Sequence, residues 1–225
     1  MIEIVKVADR VAGNLKAHDL LKEMVDKTTL LALSGGTSPN YRKMIVEPAD
    51  ILPGASCMED ERFGMPFHDD SNELIIRHSG LIDFFEIREI KFYKILEAAG
   101  IEETAKDYNQ TVANLFGQFS KRVAVVGVGE NLHTAGIFPD AVSLKSPDWV
   151  VAETVEDRLS KRITLTLKAL GQFNSFVILI FGDSKKDALK IILSETENDM
   201  QKYPAIFYRK CAARCYLITD IEVNL

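Results

Sequence analysis

The chain has 225 residues, of which 47% are hydrophobic and 27% charged, and this balance is typical of a folded globular protein rather than a disordered one. Its formal net charge is −6 and no lysine or arginine cluster interrupts it, which argues against nucleic acid or an anionic membrane as a partner. No apolar run reaches the ~20 residues of a transmembrane helix, and MIEIVKVADR lacks a signal-peptide pattern, so we expect a cytoplasmic protein with a single domain over residues 1–225.

Helical and strand-like patterns alternate along the chain. Apolar residues recur at helical spacing in segments 11–25, 105–116 and 188–192, the first of which contains Val11, Leu15, Leu21 and Val25. Between these segments, the runs LLAL, VAVV and FVILIF predict strands that are buried on both faces, and CYLITD predicts a final strand. The alternation predicts an α/β fold, with a doubly wound, mainly parallel sheet and helices on both faces, in the three layers of a Rossmann-like fold. The irregular segment 141–161 is expected to leave the main sheet.

The cysteines and most of the histidines show no metal-binding pattern. Cys211 and Cys215 lie four residues apart, but neither a second pair nor a nearby histidine completes a zinc site. An odd and small number of cysteines also argues against a disulfide framework and favours a reducing compartment. We therefore expect both cysteines to be packing residues, no bound metal, and structural or surface roles for His18, His68 and His78.

A glycine-containing loop, SGGTSP, follows the first buried run. Its glycines allow the backbone to approach a ligand closely, its hydroxyls can donate hydrogen bonds, and a helix is expected to begin near Pro39. The loop lacks the Gly-Lys-Ser/Thr ending of a P-loop. It is either a phosphate-binding loop or an ordinary turn between a strand and a helix, and the residues in question are Ser34, Gly35, Gly36 and Thr37.

A second polar stretch, EDERFGMPFHDDSN, contains two carboxylates and a guanidinium at a predicted strand end. Arg62 could clamp a phosphate or a carboxylate through paired hydrogen bonds, with Asp60 beside it. The commoner alternative is a solvated cluster of charges. The same choice applies to Arg162, which opens the alternating segment RITLTL and is either a second anion ligand or a solvated flank.

The stretch GVGENLHTAGIFPD follows the run VAVV and places a histidine beyond a buried strand. A dinucleotide-binding loop would need glycine where Leu132 stands, so that interpretation fits poorly. His133 is either a structural histidine or a general base, since a neutral imidazole suits proton abstraction from water at neutral pH. Glu130 and Asn131 are its polar neighbours.

Four motifs occur together and in order: LSGGTSPNYR, DERFGMPFHDDSN, GVGENLHTAGIFPD and RITLTLKAL, followed by a weaker YPAIF. With them the chain resembles the 6-phosphogluconolactonase family, within the group that includes the glucosamine-6-phosphate deaminases. The resemblance implies a hydrolase of phosphorylated sugar lactones that needs neither metal nor cofactor. It also assigns the phosphate-side loop to residues 34–37, the two arginines of the site to Arg62 and Arg162, and the base to His133.

The chain departs from the family pattern just before the histidine. The family usually reads Gly-x-Gly-x-Asp-Gly-His, whereas this chain has Asn131 and Leu132. Asn131 has nearly the shape of aspartate without its charge, so it stabilises an imidazolium less. We expect Leu132 to forbid any conformation reserved for glycine and to narrow the pocket. Glu130 is the neighbouring candidate for the missing charge.

The leading hypothesis is hydrolysis of 6-phospho-D-glucono-1,5-lactone to 6-phosphogluconate, a step of the oxidative pentose phosphate pathway. His133 would activate water with help from Asn131, Arg62 would face the lactone carbonyl, and the remaining candidates would bind substrate: Ser34, Gly35, Gly36, Thr37, Asp60, Glu130 and Arg162. One alternative is an aminosugar-phosphate deaminase or isomerase, although this chain reads IFPD where deaminases have NEP. Another is a sugar-phosphate-binding module without catalysis, suggested by Asn131 and Leu132. In each case we expect a monomer or a small homo-oligomer.

Overall fold

Ten strands form two sheets in the computed structural model, which describes residues 2–222. The larger sheet has seven strands, in the spatial order β1-β10-β9-β6-β2-β3-β5, and every neighbouring pair is parallel. The predicted doubly wound, mainly parallel sheet is therefore confirmed. The strands are β1 (Ile2–Lys6), β2 (Thr29–Leu33), β3 (Ala55–Met58), β4 (Asp60–Arg62), β5 (Lys91–Tyr93), β6 (Lys121–Gly127), β7 (Val150–Thr154), β8 (Lys161–Leu165), β9 (Ser175–Ile180) and β10 (Arg214–Thr219).

The apolar runs of the sequence lie at the centre of this sheet. LLAL and VAVV fall on β2 and β6, FVILIF falls on β9 except for its last residue, and all five residues of β2 are buried. Because successive side chains of a strand point to opposite faces, burial of the whole strand means that both faces are covered. The covering helices are α1 (Arg10–Met24), α2 (Asn72–His78), α3 (Leu81–Ile87), α4 (Ile101–Gln118), α5 (Leu167–Leu170), α6 (Lys186–Leu193) and α7 (Phe207–Lys210).

The smaller sheet is antiparallel and lies in the order β4-β8-β7. Segment 141–161 supplies β7 and the loop that leads into β8, so the expectation that it leaves the main sheet is confirmed. In the pairing of β4 with β8, Arg62 and Arg162 are direct partners. Two residues a hundred positions apart are thereby brought side by side.

Helix α1 forms where the helical spacing predicts, but only part of its apolar pattern is buried, since Leu21 is 0% exposed. Val11 and Leu15 are 60% and 48% exposed, while the buried residues of the helix include Gly13 and Ala17. A Cβ atom on Gly13 would lie 2.5 Å from the ring of Phe181. Small residues therefore let the helix approach the sheet closely, whereas Val11 and Leu15 are turned outward.

The connection after β2 also differs from expectation. The helix expected to begin near Pro39 begins at Tyr41 and continues as a π-helical turn over Arg42–Val46. So short a turn offers little helix dipole to the preceding loop. Of the helices formed by residues 2–222, none is long and apolar enough to cross a membrane.

Candidate active site

The switch point of the sheet lies between β2 and β6. The chain passes from β2 to β3 on one side, whereas it passes from β6 to β9 on the other. In open α/β sheets, the loops at such a point diverge and leave a crevice beyond the carboxyl ends of the strands. A cleft of about 220 Å³ lies there, and the residues that line it are Ser34, Gly35, Gly36, Thr37, Ser38, Asp60, Arg62, Asn72, Gly127, Val128, Gly129, His133, Ala135, Phe138, Asp157, Arg162 and Lys185.

The SGGTS loop after β2 forms one wall of this cleft. Gly36 has a φ of +80°, in the left-handed region. A Cβ on Gly35 would lie 1.9 Å from Oδ1 of Asn72, so only glycine fits against this side chain. The carbonyl of Ser34 accepts a hydrogen bond from the hydroxyl of Tyr41 at 2.6 Å. The loop is thus held by buried contacts on either side.

The carboxylates of EDER are buried, so the alternative of a solvated charge cluster is wrong for them. Asp60 and Glu61 are 6% and 0% exposed. Glu61 accepts backbone hydrogen bonds from Arg62 and Asn72 at 2.7 Å each and from Glu73 at 2.8 Å. Burial nevertheless raises the pKa of Glu61 to about 7. The carboxyl group of Glu61 thus links β4, the strand that contains Arg62, to the start of α2.

Asn72 and Asp60 connect the two walls of the cleft. The amide nitrogen of Asn72 donates to the backbone and side-chain oxygens of Asp60 at 3.0 and 3.1 Å, while its other face packs on Gly35. Burial raises the pKa of Asp60, and the charges of Arg62 and Arg162 oppose that rise. Asn72 belongs to one of the sequence motifs, but its position between the two loops could be recognised only from the fold.

Arg62 and Arg162 point cationic groups at the cleft from neighbouring strands. Arg62 donates to the carbonyl of Asp70 at 2.8 Å, and Arg162 donates to the carboxylate of Asp157 at 2.5 Å. The Arg162 side chain is only 5% exposed, which contradicts its interpretation as a solvated flank. The Nε groups of both arginines are buried without a hydrogen-bond partner among residues 2–222.

Lys185 is a third cation on the cleft that the sequence analysis missed. Its ammonium lies 3.3 Å from the hydroxyl of Ser38, and burial lowers its pKa. Lys185 follows β9, whose carboxyl end is at the same edge of the sheet as those of β2 and β6. Its position after a predicted parallel strand was the signal that could have revealed it.

His133 lines the same cleft as these cations, and the loop around it is shaped to hold its ring. Its Nδ1 lies 2.6 Å from Oδ1 of Asn131. Since an amide oxygen only accepts, the proton is on Nδ1 and the lone pair is on Nε2. Phe138 stacks on the ring at 4.3 Å with an angle of 4° between planes. A Cβ on Gly129 would lie 2.2 Å from the ring, so glycine is required there.

The electrostatic surroundings keep His133 neutral. Burial, followed by the charges of Arg162 and Lys185, lowers the pKa of His133 to about 4. Asp157 is the carboxylate that opposes this shift. Asp157 belongs to the loop between β7 and β8, and nothing in the sequence pointed to it. Glu130, by contrast, is exposed and does not line the cleft, and its charge acts on Lys185.

Both expectations for Leu132 are wrong. The residue has a φ of +62°, so it adopts the left-handed conformation that it was expected to forbid. It is 3% exposed, belongs to the hydrophobic core and does not line the cleft, so it does not narrow the pocket. Its carbonyl accepts a hydrogen bond from the amide of Ala205 at 3.0 Å, which joins the histidine loop to the YPAIF segment. Burial of a leucine side chain is worth about 2–5 kcal/mol, more than the ~1–2 kcal/mol that a left-handed residue costs.

The described residues contain no group of three or more histidine, cysteine or acidic side chains that could hold a metal ion. The fold and the cleft together define an α/β protein with a cationic crevice, lined also by a neutral histidine, at the switch point of a parallel sheet. The chain belongs to the family described as glucosamine-6-phosphate isomerases/6-phosphogluconolactonase, whose sequence model matches residues 5–217. The resemblance inferred from the motifs is thereby confirmed, and the protein is an enzyme of this family.

Individual relatives carry both activity names of the family. A 6-phosphogluconolactonase of Synechocystis is 31% identical over 185 residues, which cover 79% of this chain and 76% of the relative. A glucosamine-6-phosphate deaminase of Streptococcus pyogenes is 27% identical over 205 residues, covering 84% and 85%. The solved structure of a 6-phosphogluconolactonase from Plasmodium vivax superimposes with a TM-score of 0.83 at 22% identity, covering 99% of this chain and 91% of that one. That similarity confirms the fold.

Proposed function

We propose that the protein hydrolyses 6-phospho-D-glucono-1,5-lactone to 6-phosphogluconate, with His133 as the general base and without a metal ion. The observation that carries this proposal is the cleft itself. A neutral imidazole with a free Nε2 lines the same cleft, of about 220 Å³, as the cationic side chains of Arg62, Arg162 and Lys185. Such a site suits a substrate with an anion at one end and an electrophilic carbonyl at the other.

Unpartnered polar groups around the cleft support a polar ligand. Buried donors and acceptors normally have hydrogen-bond partners, and those without one in native proteins call for an explanation. Among residues 2–222, the groups without a partner include the hydroxyl of Ser34, Oδ1 of Asn72 and the Nε atoms of Arg62 and Arg162. All four residues line the cleft. A phosphorylated sugar would supply oxygen atoms and hydroxyl groups to them.

The phosphate is assigned to the wall that contains residues 34–38. Lys185 already contacts Ser38 on this wall, and Arg162 completes a cationic pair. Arg62 is assigned to the lactone carbonyl, where a positioned donor to the developing oxyanion is worth ~3–4 kcal/mol. Asp60 holds Asn72 against the loop and is placed to accept from a sugar hydroxyl.

The chemistry then follows from the protonation state of His133. Nε2 takes a proton from water as the oxygen attacks the lactone carbonyl carbon, and the negative charge passes to the carbonyl oxygen beside Arg62. The imidazolium next returns the proton to the ring oxygen as the ring carbon–oxygen bond breaks, which leaves the open-chain acid. Asn131 keeps Nδ1 protonated throughout, so Nε2 stays available. General base catalysis of this kind contributes about 10²–10⁴-fold.

The bound phosphate would make His133 a stronger base. In the empty cleft, the charges of Arg162 and Lys185 contribute to the low pKa of His133. A dianionic phosphate beside those two cations offsets their charge, and the pKa of His133 rises. Substrate binding would thus help to prepare the base that acts on it.

An aminosugar-phosphate deaminase remains the second candidate function, because a relative with that name matches 84% of this chain. The alternative of a binding module without catalysis was suggested by Asn131 and Leu132. Leu132 no longer supports it, because this residue lies in the core and not in the cleft. For either enzyme we propose a cytoplasmic location, a monomer or a small homo-oligomer, and no nucleic-acid or membrane partner.

The test is the rate at which the purified protein consumes the lactone, after subtraction of the spontaneous hydrolysis. We expect H133N to lose about 10²–10⁴-fold in turnover, as expected for removal of a general base. H78N is the matched control, because His78 is exposed at the end of α2. Full activity of H133N would contradict the assigned base. Release of ammonia from glucosamine 6-phosphate, without lactone hydrolysis, would favour the deaminase instead.

A further inference from the structure

The two cysteines expected to be packing residues form a close pair. The sulfur atoms of Cys211 and Cys215 lie 3.6 Å apart. Cys211 is partly exposed and follows the last residue of α7, whereas Cys215 is 1% exposed on β10. Cys57, the third cysteine of the chain, is buried on β3. The accessible thiol of Cys211 thus lies next to the buried thiol of Cys215, and a small movement would bring the two sulfur atoms within bonding distance.

The contacts of the pair distinguish an attacking thiol from a resolving one. A hydrogen bond from Cys215 lowers the pKa of Cys211, while the same contact, followed by burial, raises the pKa of Cys215. The thiolate is the nucleophilic form of cysteine, and exposure decides which sulfur an external reagent can reach. Both properties single out Cys211 as the thiol that reacts first.

A groove of about 600 Å³ gives access to Cys211. It is lined by residues 170–175, which lead into β9, and by residues 211–214, which lead into β10. The groove therefore lies at the amino ends of these strands, at the opposite edge of the sheet from the catalytic cleft. Gln172, Asn174 and Arg214 are exposed along it, and the guanidinium of Arg214 supplies a positive charge.

We propose that Cys211 and Cys215 form a thiol–disulfide exchange site for small anionic disulfides, which bind in this groove. The Cys211 thiolate attacks one sulfur of the small disulfide and displaces the other as a thiolate, which leaves a mixed disulfide on Cys211. Cys215 then gives up its proton and attacks the sulfur of Cys211, which releases the second small thiolate. The protein loses two hydrogens and gains one disulfide, and the small disulfide is reduced to two thiols.

The full-length protein is tested with oxidised glutathione, followed by mass spectrometry of the intact chain and of its peptides. We expect the wild-type chain to acquire an internal link between Cys211 and Cys215, and dithiothreitol to reverse it. C215S should stop at one glutathione on Cys211, C211S should not react, and C57S should behave as the wild type. A wild-type chain that stays reduced, or that keeps glutathione on Cys211 without release, overturns the proposal.

The contribution of the groove is tested separately with the charge reversal R214E. This variant should react more slowly with oxidised glutathione, but at the wild-type rate with the uncharged bis(2-hydroxyethyl) disulfide. Equal slowing with both reagents would contradict a binding role for Arg214 and the preference for anionic disulfides. Neither measurement uses the lactonase assay, so the result is independent of the proposed function.

Discussion

Asn131 accepts a hydrogen bond from Nδ1 of His133 at 2.6 Å, so a neutral amide orients the imidazole that the site presents to its ligand. An amide fixes the tautomer as well as a carboxylate does, because either oxygen accepts the Nδ1 proton. The amide adds no negative charge, however, and the imidazolium formed during proton transfer gains less stabilisation from it.

Replacing Asn131 with aspartate should therefore strengthen the base. In N131D we expect the pKa of His133 to rise by about 1 and turnover to increase, because the added charge favours the protonated ring. N131A is the matched variant, in which the ring loses its partner and turnover falls. An NMR titration of the ring and lactone assays measure both effects. An unchanged pKa in N131D would contradict the close contact between residue 131 and the His133 ring.

Glycine at position 132 should destabilise the protein, although the backbone conformation there suits glycine. Removal of a buried leucine side chain costs about 2–5 kcal/mol, while relief of a left-handed residue returns only about 1–2 kcal/mol. E89G is the matched control, since Glu89 has a φ of 58° but is exposed. We expect denaturant unfolding to show a loss in L132G and a gain in E89G, whereas a gain in both would refute the importance of burial.

The pH dependence of catalysis should differ between the free and the substrate-bound enzyme. The pKa of His133 in the free enzyme is about 4, so kcat/KM should stay level near neutrality and fall only as the pH drops through about 4. Bound phosphate offsets the charges of Arg162 and Lys185, so the fall in kcat should occur at a higher pH. Profiles corrected for spontaneous hydrolysis and for ionisation of the substrate phosphate, whose second pKa is about 6, test this. A corrected kcat/KM that already falls near pH 6.5 would contradict it.

Lys185 should contribute to the binding of phosphate. K185M removes one charged hydrogen bond, which is worth about 1.5–3 kcal/mol and corresponds to roughly 10- to 100-fold in kcat/KM, mainly through KM. K186M is the matched control, because Lys186 is the exposed neighbour. The pKa of His133 should also rise in K185M, since a nearby positive charge is lost. Equal kinetics in the two variants would remove Lys185 from the binding site.

Glu59 should make stability fall as the pH rises. Neither of its carboxyl oxygens has a hydrogen-bond partner within residues 2–222, and burial raises its pKa well above 4.5. The folded chain keeps this group protonated while the unfolded chain ionises it, so above pH 4.5 the wild type loses up to ~1.4 kcal/mol per pH unit relative to a non-ionising residue.

The substitution E59Q should remove this dependence, because glutamine has nearly the same shape and does not titrate. Its stability relative to the wild type should increase steadily between pH 5 and pH 8 in chemical denaturation, to the extent that the folded-state pKa stays above that range. E3Q is the control, since Glu3 is exposed on β1. A constant difference across this range would show that Glu59 is ionised in the folded protein.

The general position of the site follows from the sequence, because parallel strands bring their carboxyl ends to one edge of the sheet. Three loops after apolar runs could therefore be placed together, with Arg62 and His133 among their residues. Asp157 could not be predicted, since it reaches the cleft from a hairpin of the smaller sheet whose packing depends on long-range contacts. The outward position of Val11 depended on the close approach of Gly13 to Phe181, which helical spacing does not encode.

The left-handed backbone at Leu132 also affects which residues this loop can accept at that position. The buried side chain compensates for the left-handed backbone, so leucine in place of the family's usual glycine leaves the imidazole held by Asn131 and Phe138. When position 132 is randomised and the variants are selected for thermal stability, large aliphatic residues should accordingly be more frequent than glycine. A sequence signature that requires glycine at this position would then miss family members that keep the histidine and its neighbours.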